Sequence, residues 1–128
     1  MKKFIKNLFK DVIENKEYND SYIQKYFSET YVQTVNNEKL DFESFKKHIL
    51  KLKSKVINQN VEFQKILSNR NTIFTKHIVT STLKNKEIVK HKVFAEFTLN
   101  KEMKIIKCDE ITLLVEGNEN QNNLGSEF

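Results

Sequence analysis

The chain has 128 residues, the usual size of one domain, and its apolar share of 38% with ten phenylalanines is enough to build a core and too high for wholesale disorder. Basic residues outnumber acidic ones by 22 to 17, giving a net charge of +5, but Arg70 is the only arginine and the lysines are scattered through every segment. The planar donors that nucleic-acid sites favour are therefore almost missing, and the charge reads as a solvated surface, with no nucleic-acid partner expected.

The elements follow in chain order. Phe4, Ile5, Leu8, Phe9, Val12 and Ile13 recur at helical spacing and predict an amphipathic first helix. Lys6, Lys10, Asp11 and Glu14 interrupt this stretch, so it is no signal-peptide core, and a cytoplasmic location is expected. No segment approaches the roughly 18 apolar residues of a membrane span, so no membrane partner is expected either.

Asn19-Asp20-Ser21 is a capping signal for a second, shorter helix carrying Tyr22, Ile23, Tyr26 and Phe27 on one side. Tyr31 to Val35 turns β-branched and aromatic, which predicts a short strand, and Asn36-Asn37 supplies a turn. Asp41 is placed to cap a third helix running to about Lys55, with Phe42, Phe45, Ile49, Leu52 and Val56 as its buried stripe.

Near Val56–Val61 the period changes from 3.6 to two. Val61, Phe63, Lys65 and Leu67 alternate with polar neighbours before the turn Asn69-Arg70-Asn71. Thr72 to Leu83 and Ile88 to Leu99 are the next strands, separated by Lys84-Asn85-Lys86. In the latter, Val89, His91, Val93, Ala95, Phe97 and Leu99 share one face, with Glu96 turned away. Asn100-Lys101-Glu102 makes a turn into a last strand from Met103 to Val115, and a polar tail begins at about Gly117. The expectation is a single α+β domain over 1–128, its three helices covering one face of four antiparallel strands.

Lys104-Ile105-Ile106 resembles the "G-K-I" hairpin exit of SnoaL-like and ketosteroid-isomerase-like proteins, with Met103 standing where the family has glycine. Asp109-Glu110-Ile111-Thr112, and Gly117 through Leu124-Gly125-Ser126, resemble the ending of a bacterial branch of that nuclear-transport-factor-2-like (NTF2-like) superfamily. Tyr31-Val32-Gln33 and the helix from Phe42 to Ile49 resemble its middle. The resemblance implies a cone of helices and curved sheet around a ligand pocket, and frequent homodimers packed through the sheet. It also implies, in catalytic members, a carboxylate that moves a proton while a tyrosine or a protonated acid stabilises an enolate. Many members only bind or assemble, so the fold does not assign an activity.

Glu110 is the first candidate, as a general acid/base or anchor, because it shares a strand face with Cys108 and Thr112, opposite Ile111, Leu113 and Val115. Its other reading is a solvent-facing carboxylate, or one paired with a neighbouring lysine. His77, inside a β-rich strand, is read either as a polarising group beside Glu110 or as a satisfied half-buried histidine. Tyr31 and Gln33, alternating on one face, are ligand-binding candidates, Tyr31 as an oxyanion donor or as packed core. His48, His91 and Thr112 complete the candidate ligand set. Cys108, the single cysteine, excludes an internal disulfide and a cysteine-based zinc site and reads as a small inert hydrophobe.

The three histidines lack any metal-ligand spacing. Gly117 and Gly125, the only glycines, allow no phosphate cradle. No metal or cofactor is expected. The functions to be weighed are therefore binding of a small apolar or carbonyl-bearing ligand, an isomerase or cyclase using Glu110 with Tyr31 or His77 as electrophile, and a noncatalytic homodimeric assembly domain.

Overall fold

A computed structural model describes residues 1–117 of the chain; the expected Leu124-Gly125-Ser126 motif lies outside the described residues. The first helix, α1 (Lys2–Leu8), continues into a π-helical segment, Phe9–Glu14. Together they bury Ile5, Leu8, Phe9, Val12 and Ile13. The end of this segment is tied down at two points. The Lys53 ammonium donates to the carbonyls of Ile13 and Asn15, which no longer have helical partners. The Glu14 carboxylate accepts the backbone N–H of Val61 at 2.8 Å.

Helix α2 (Asp20–Tyr26) starts at Asn19, whose side chain accepts from the Tyr22 N–H at 3.2 Å. Its last residue reaches back to the π-helical segment, the Tyr26 hydroxyl donating to Asp11 at 2.5 Å. Helix α3 (Phe42–Lys55) starts at Asp41, which accepts from the Ser44 N–H at 2.8 Å. Its stripe of Phe42, Phe45, Ile49 and Leu52 is buried, at about 2 kcal/mol for each side chain removed from water.

Six strands form one curved, unclosed sheet: β1 (Phe27–Val35), β2 (Glu38–Asp41), β3 (Val56–Asn69), β4 (Thr72–Leu83), β5 (Ile88–Leu99) and β6 (Ile105–Glu116). Their spatial order is β2-β1-β6-β5-β4-β3. Two features correct the sequence-based layout. Phe27 opens a strand instead of closing a helix, and that strand lies parallel to β6, making the sheet mixed. The short edge strand β2 was not anticipated; its four residues alternate too little in burial to leave a pattern.

A third correction concerns β3. Its pairing with β4 shifts register between Phe63 and Lys65, so the inward face passes from Phe63 to Ile66. Ile66 is buried while Leu67 is 57% exposed, the reverse of simple alternation. The first three hairpin turns fall where expected, with Asn36, Asn37, Arg70 and Lys86 at positive φ. The last runs one residue further: Met103, expected to open the final strand, adopts a positive φ of 63°, and β6 begins only at Ile105.

The helices cover one face of the sheet. On the other face Ile111, Leu113, Val115, Phe74 and Leu67 are exposed. No helix among the described residues is long and apolar enough to cross a membrane.

Candidate functional site

The covered face of the sheet is not uniformly apolar. Strand register sets its side chains in rows. Gln33 of β1 pairs with Cys108 of β6, which pairs with Phe97 of β5 and then Ile73 of β4. In the next row Val35, Glu110, Ala95 and Thr75 follow one another, and beyond it Thr112, Val93, His77 and Phe63. A cavity of about 40 Å³ lies over these rows, between the sheet and its helical cover. Its apolar walls include Phe9 and Ile13 from the π-helical segment, Phe27 from β1, Phe45 from α3 and Phe97 from β5.

Its polar lining consists of Tyr31, Gln33, Cys108, Glu110 and His77. The Tyr31 hydroxyl, in a ring itself packed against Phe27 and Phe45, donates to Gln33 Oε1 at 2.7 Å. That bond orients the amide and leaves Gln33 Nε2, buried, with no hydrogen-bond partner among the described residues. An unpaired buried N–H costs about 1–3 kcal/mol, so this donor is held at some expense to the fold.

Glu110 is only 7% exposed. Burial, with the nearby charge of Asp109 adding to it, raises its pKa to about 8. At neutral pH it is therefore mostly the uncharged acid, able to donate a hydrogen bond. His77 is shifted the other way: burial lowers its pKa to about 4, so it is neutral imidazole. Its Nδ1 lies 2.9 Å from the Thr75 hydroxyl, and Phe9 stands edge-on to its ring at 4.8 Å. Burial also lifts the Tyr31 hydroxyl and the Cys108 thiol well above their ordinary pKa values, so both remain protonated. A buried thiol of this kind is a poor nucleophile.

The structure thus brings four of the sequence-predicted residues, Glu110, His77, Tyr31 and Gln33, around one cavity. It does not bring the other three. His91 is fully buried but lies beyond the lining, beside Val79 and Leu114. His48 is half-buried on α3. The backbone of Thr112 is latched at both N–H and C=O by the Asn36 amide, at 3.0 and 3.2 Å, a link between β6 and the β1–β2 turn. The phenylalanines that close the cavity were read as general core. Phe27 joins them because β1 lies against β6, a pairing that no local pattern announces. Among the described residues no group of three or more His, Cys, Asp or Glu side chains is placed to hold a metal ion.

Solved structures share this architecture. An NTF2-like protein of unknown function from Exiguobacterium sp. 255-15 superposes with a TM-score of 0.69 at 11% identity, covering 84% of this chain and 96% of that one. The chain has the NTF2-like fold. A protein from Jannaschia sp. CCS1 named for its likeness to SnoaL-like polyketide cyclases gives 0.69 at 11% identity over 86% of this chain and 83% of that one. An LEH-like epoxide hydrolase from M. tuberculosis gives 0.68 at 11% identity, over 84% and 78%. At these identities the NTF2-like likeness speaks for the fold and carries no activity with it. No protein-family model and no curated protein matches the sequence.

Proposed function

We propose that the chain is a binding module for a small, largely apolar, uncharged ligand bearing one hydrogen-bond acceptor such as a carbonyl. The observation that carries this reading is the pairing, in one apolar cavity, of an unpartnered Gln33 Nε2–H with a Glu110 carboxyl that stays protonated at neutral pH. The Gln33 donor without an acceptor suits an acceptor-bearing guest, and the protonated Glu110 carboxyl adds a second donor to the same lining. Small-molecule pockets are commonly apolar with a few convergent polar groups of this kind.

The cavity at rest, about 40 Å³, has room for a few waters and is smaller than the roughly 150 Å³ void that holds benzene in an engineered protein. A larger guest must push lining side chains aside, among them the Phe9 and Phe45 rings of the helical cover. Calorimetric titration with acetone and cyclohexanone tests the reading. Binding is expected below pH 8, weaker above it as Glu110 ionises, and lost in Gln33→Leu. Absence of binding to both probes, or equal binding by Gln33→Leu, refutes it.

The exposed Ile111, Leu113, Val115, Phe74 and Leu67 on the open sheet face favour a second, compatible reading, a homodimer packed through that face. Catalysis would draw on the same cavity. Glu110 has a proton to give or take near pH 8, with neutral His77 or Tyr31 as electrophile. Turnover that disappears in Glu110→Gln while cyclohexanone still binds would mark an enzyme.

A further inference from the structure

A second concave site lies outside the cavity, between the end of the π-helical segment and the beginning of β3. It is an open groove of about 510 Å³, within the range of small-molecule sites. Asp11 and Glu14 form one side: Tyr26 donates to Asp11 Oδ2, and the Val61 N–H to Glu14 Oε2. Lys10 lies on the same segment and Lys16 two residues beyond its end, so two positive charges offset two negative ones. Asn58 and Asn60 stand on the β3 side, and the Tyr22 ring borders the groove.

Two further observations point to a guest. Asn58 Oδ1 is shielded from solvent and has no hydrogen-bond partner among the described residues, so its amide gains by turning toward a donor. β3 is also an edge strand. Alternate residues of such a strand turn their backbone N–H and C=O to the open side; Val61 does so, and Gln59 therefore does as well. The groove is rich in both donors and acceptors, carries no net charge, and has one aromatic wall.

We infer that this groove binds a neutral polyhydroxyl compound, a mono- or disaccharide. Each sugar hydroxyl both donates and accepts, so it can pair with the carboxylates and Asn58 Oδ1 on one side and the lysines and backbone N–H on the other. An apolar ligand would strand these groups. A polyamine would meet Lys10 and Lys16.

The test is a titration of ¹⁵N-labelled protein with glucose, N-acetylglucosamine and maltose, with spermidine as the cationic control, followed by amide shifts. Saturable shifts confined to residues 10–16 and 58–61 for at least one sugar are expected, with binding weakened about tenfold by Asn58→Ala and by the exposed Asn60→Ala, as for one lost hydrogen bond. If Asn58→Ala does not fold, Asn60→Ala carries the test. No shifts with any sugar, shifts spread over the whole surface, or shifts with spermidine alone would overturn the inference. Because acetone and cyclohexanone report on the cavity and sugars on the groove, either site can fail without the other.

Discussion

Replacing Glu110 by Gln keeps the shape of the side chain and removes its proton. Folded, Glu110 holds that proton to about pH 8, whereas the unfolded chain releases it near the ordinary value of 4.5. Between those limits the folded state binds more protons than the unfolded one. Stability from this group is therefore fully present below pH 4.5 and falls as pH rises, by about 1.4 kcal/mol per unit, levelling off above pH 8. The loss is about 1 kcal/mol at pH 5, about 3 at pH 7 and nearly 5 at pH 9, against a total stability on the order of 5–15 kcal/mol for a domain. Gln does not titrate and escapes this loss. Urea unfolding of both proteins at pH 5, 7 and 9 isolates it, since every other titrating group is common to the two. The stability of Glu110→Gln relative to wild type should rise by about 4 kcal/mol from pH 5 to pH 9. A constant offset, or a rise below about 1 kcal/mol, would mean that Glu110 ionises as a solvated carboxylate, and the neutral-acid reading would fail.

Other perturbations probe separate parts of the account. Phe9→Ala should lower stability by about 4 kcal/mol and tighten cyclohexanone binding, because the lining no longer has to be displaced; destabilisation with unchanged affinity would show that Phe9 does not restrict the cavity. Asp41→Ala removes the cap on the Ser44 N–H and should cost about 1 kcal/mol in thermal or urea unfolding, whereas no loss would mean water replaces it fully. Met103→Gly should stabilise by up to about 1 kcal/mol, relieving a side chain held at positive φ; a loss would point to packing by the methionine. Leu113→Glu, at an exposed position, should leave unfolding within about 0.5 kcal/mol while converting the proposed dimer to monomer by light scattering, and a monomeric wild type would remove that interface.

What could be read in advance was local. Asn19 and Asp41 cap helices where their side chains suggested. The alternation from Val89 to Leu99 matches the buried face of β5 residue for residue. Same-strand spacing correctly grouped Tyr31 with Gln33 and Cys108 with Glu110. What escaped depends on partners far apart in the chain. The parallel β1–β6 register that sets Gln33 beside Cys108 has no turn between the strands to announce it. The β3 register shift near Lys65 is a one-residue change that a period of two hides. The widening of the first helix at Phe9–Glu14 keeps the same apolar positions buried, so hydrophobic spacing alone does not distinguish it. His48, His91 and Thr112 fell outside the lining because a shared sheet face or helix edge covers far more than one small cavity.

The central claim, an uncharged Glu110 acting as one of two anchors in an apolar cavity, is tested most directly by following the Glu110 carboxyl carbon by NMR across pH, with and without cyclohexanone. A midpoint near pH 8 is expected in the free protein, shifted upward by the probe because the probe prefers the protonated acid. A midpoint near the ordinary glutamate value, or one that cyclohexanone leaves in place, would contradict it.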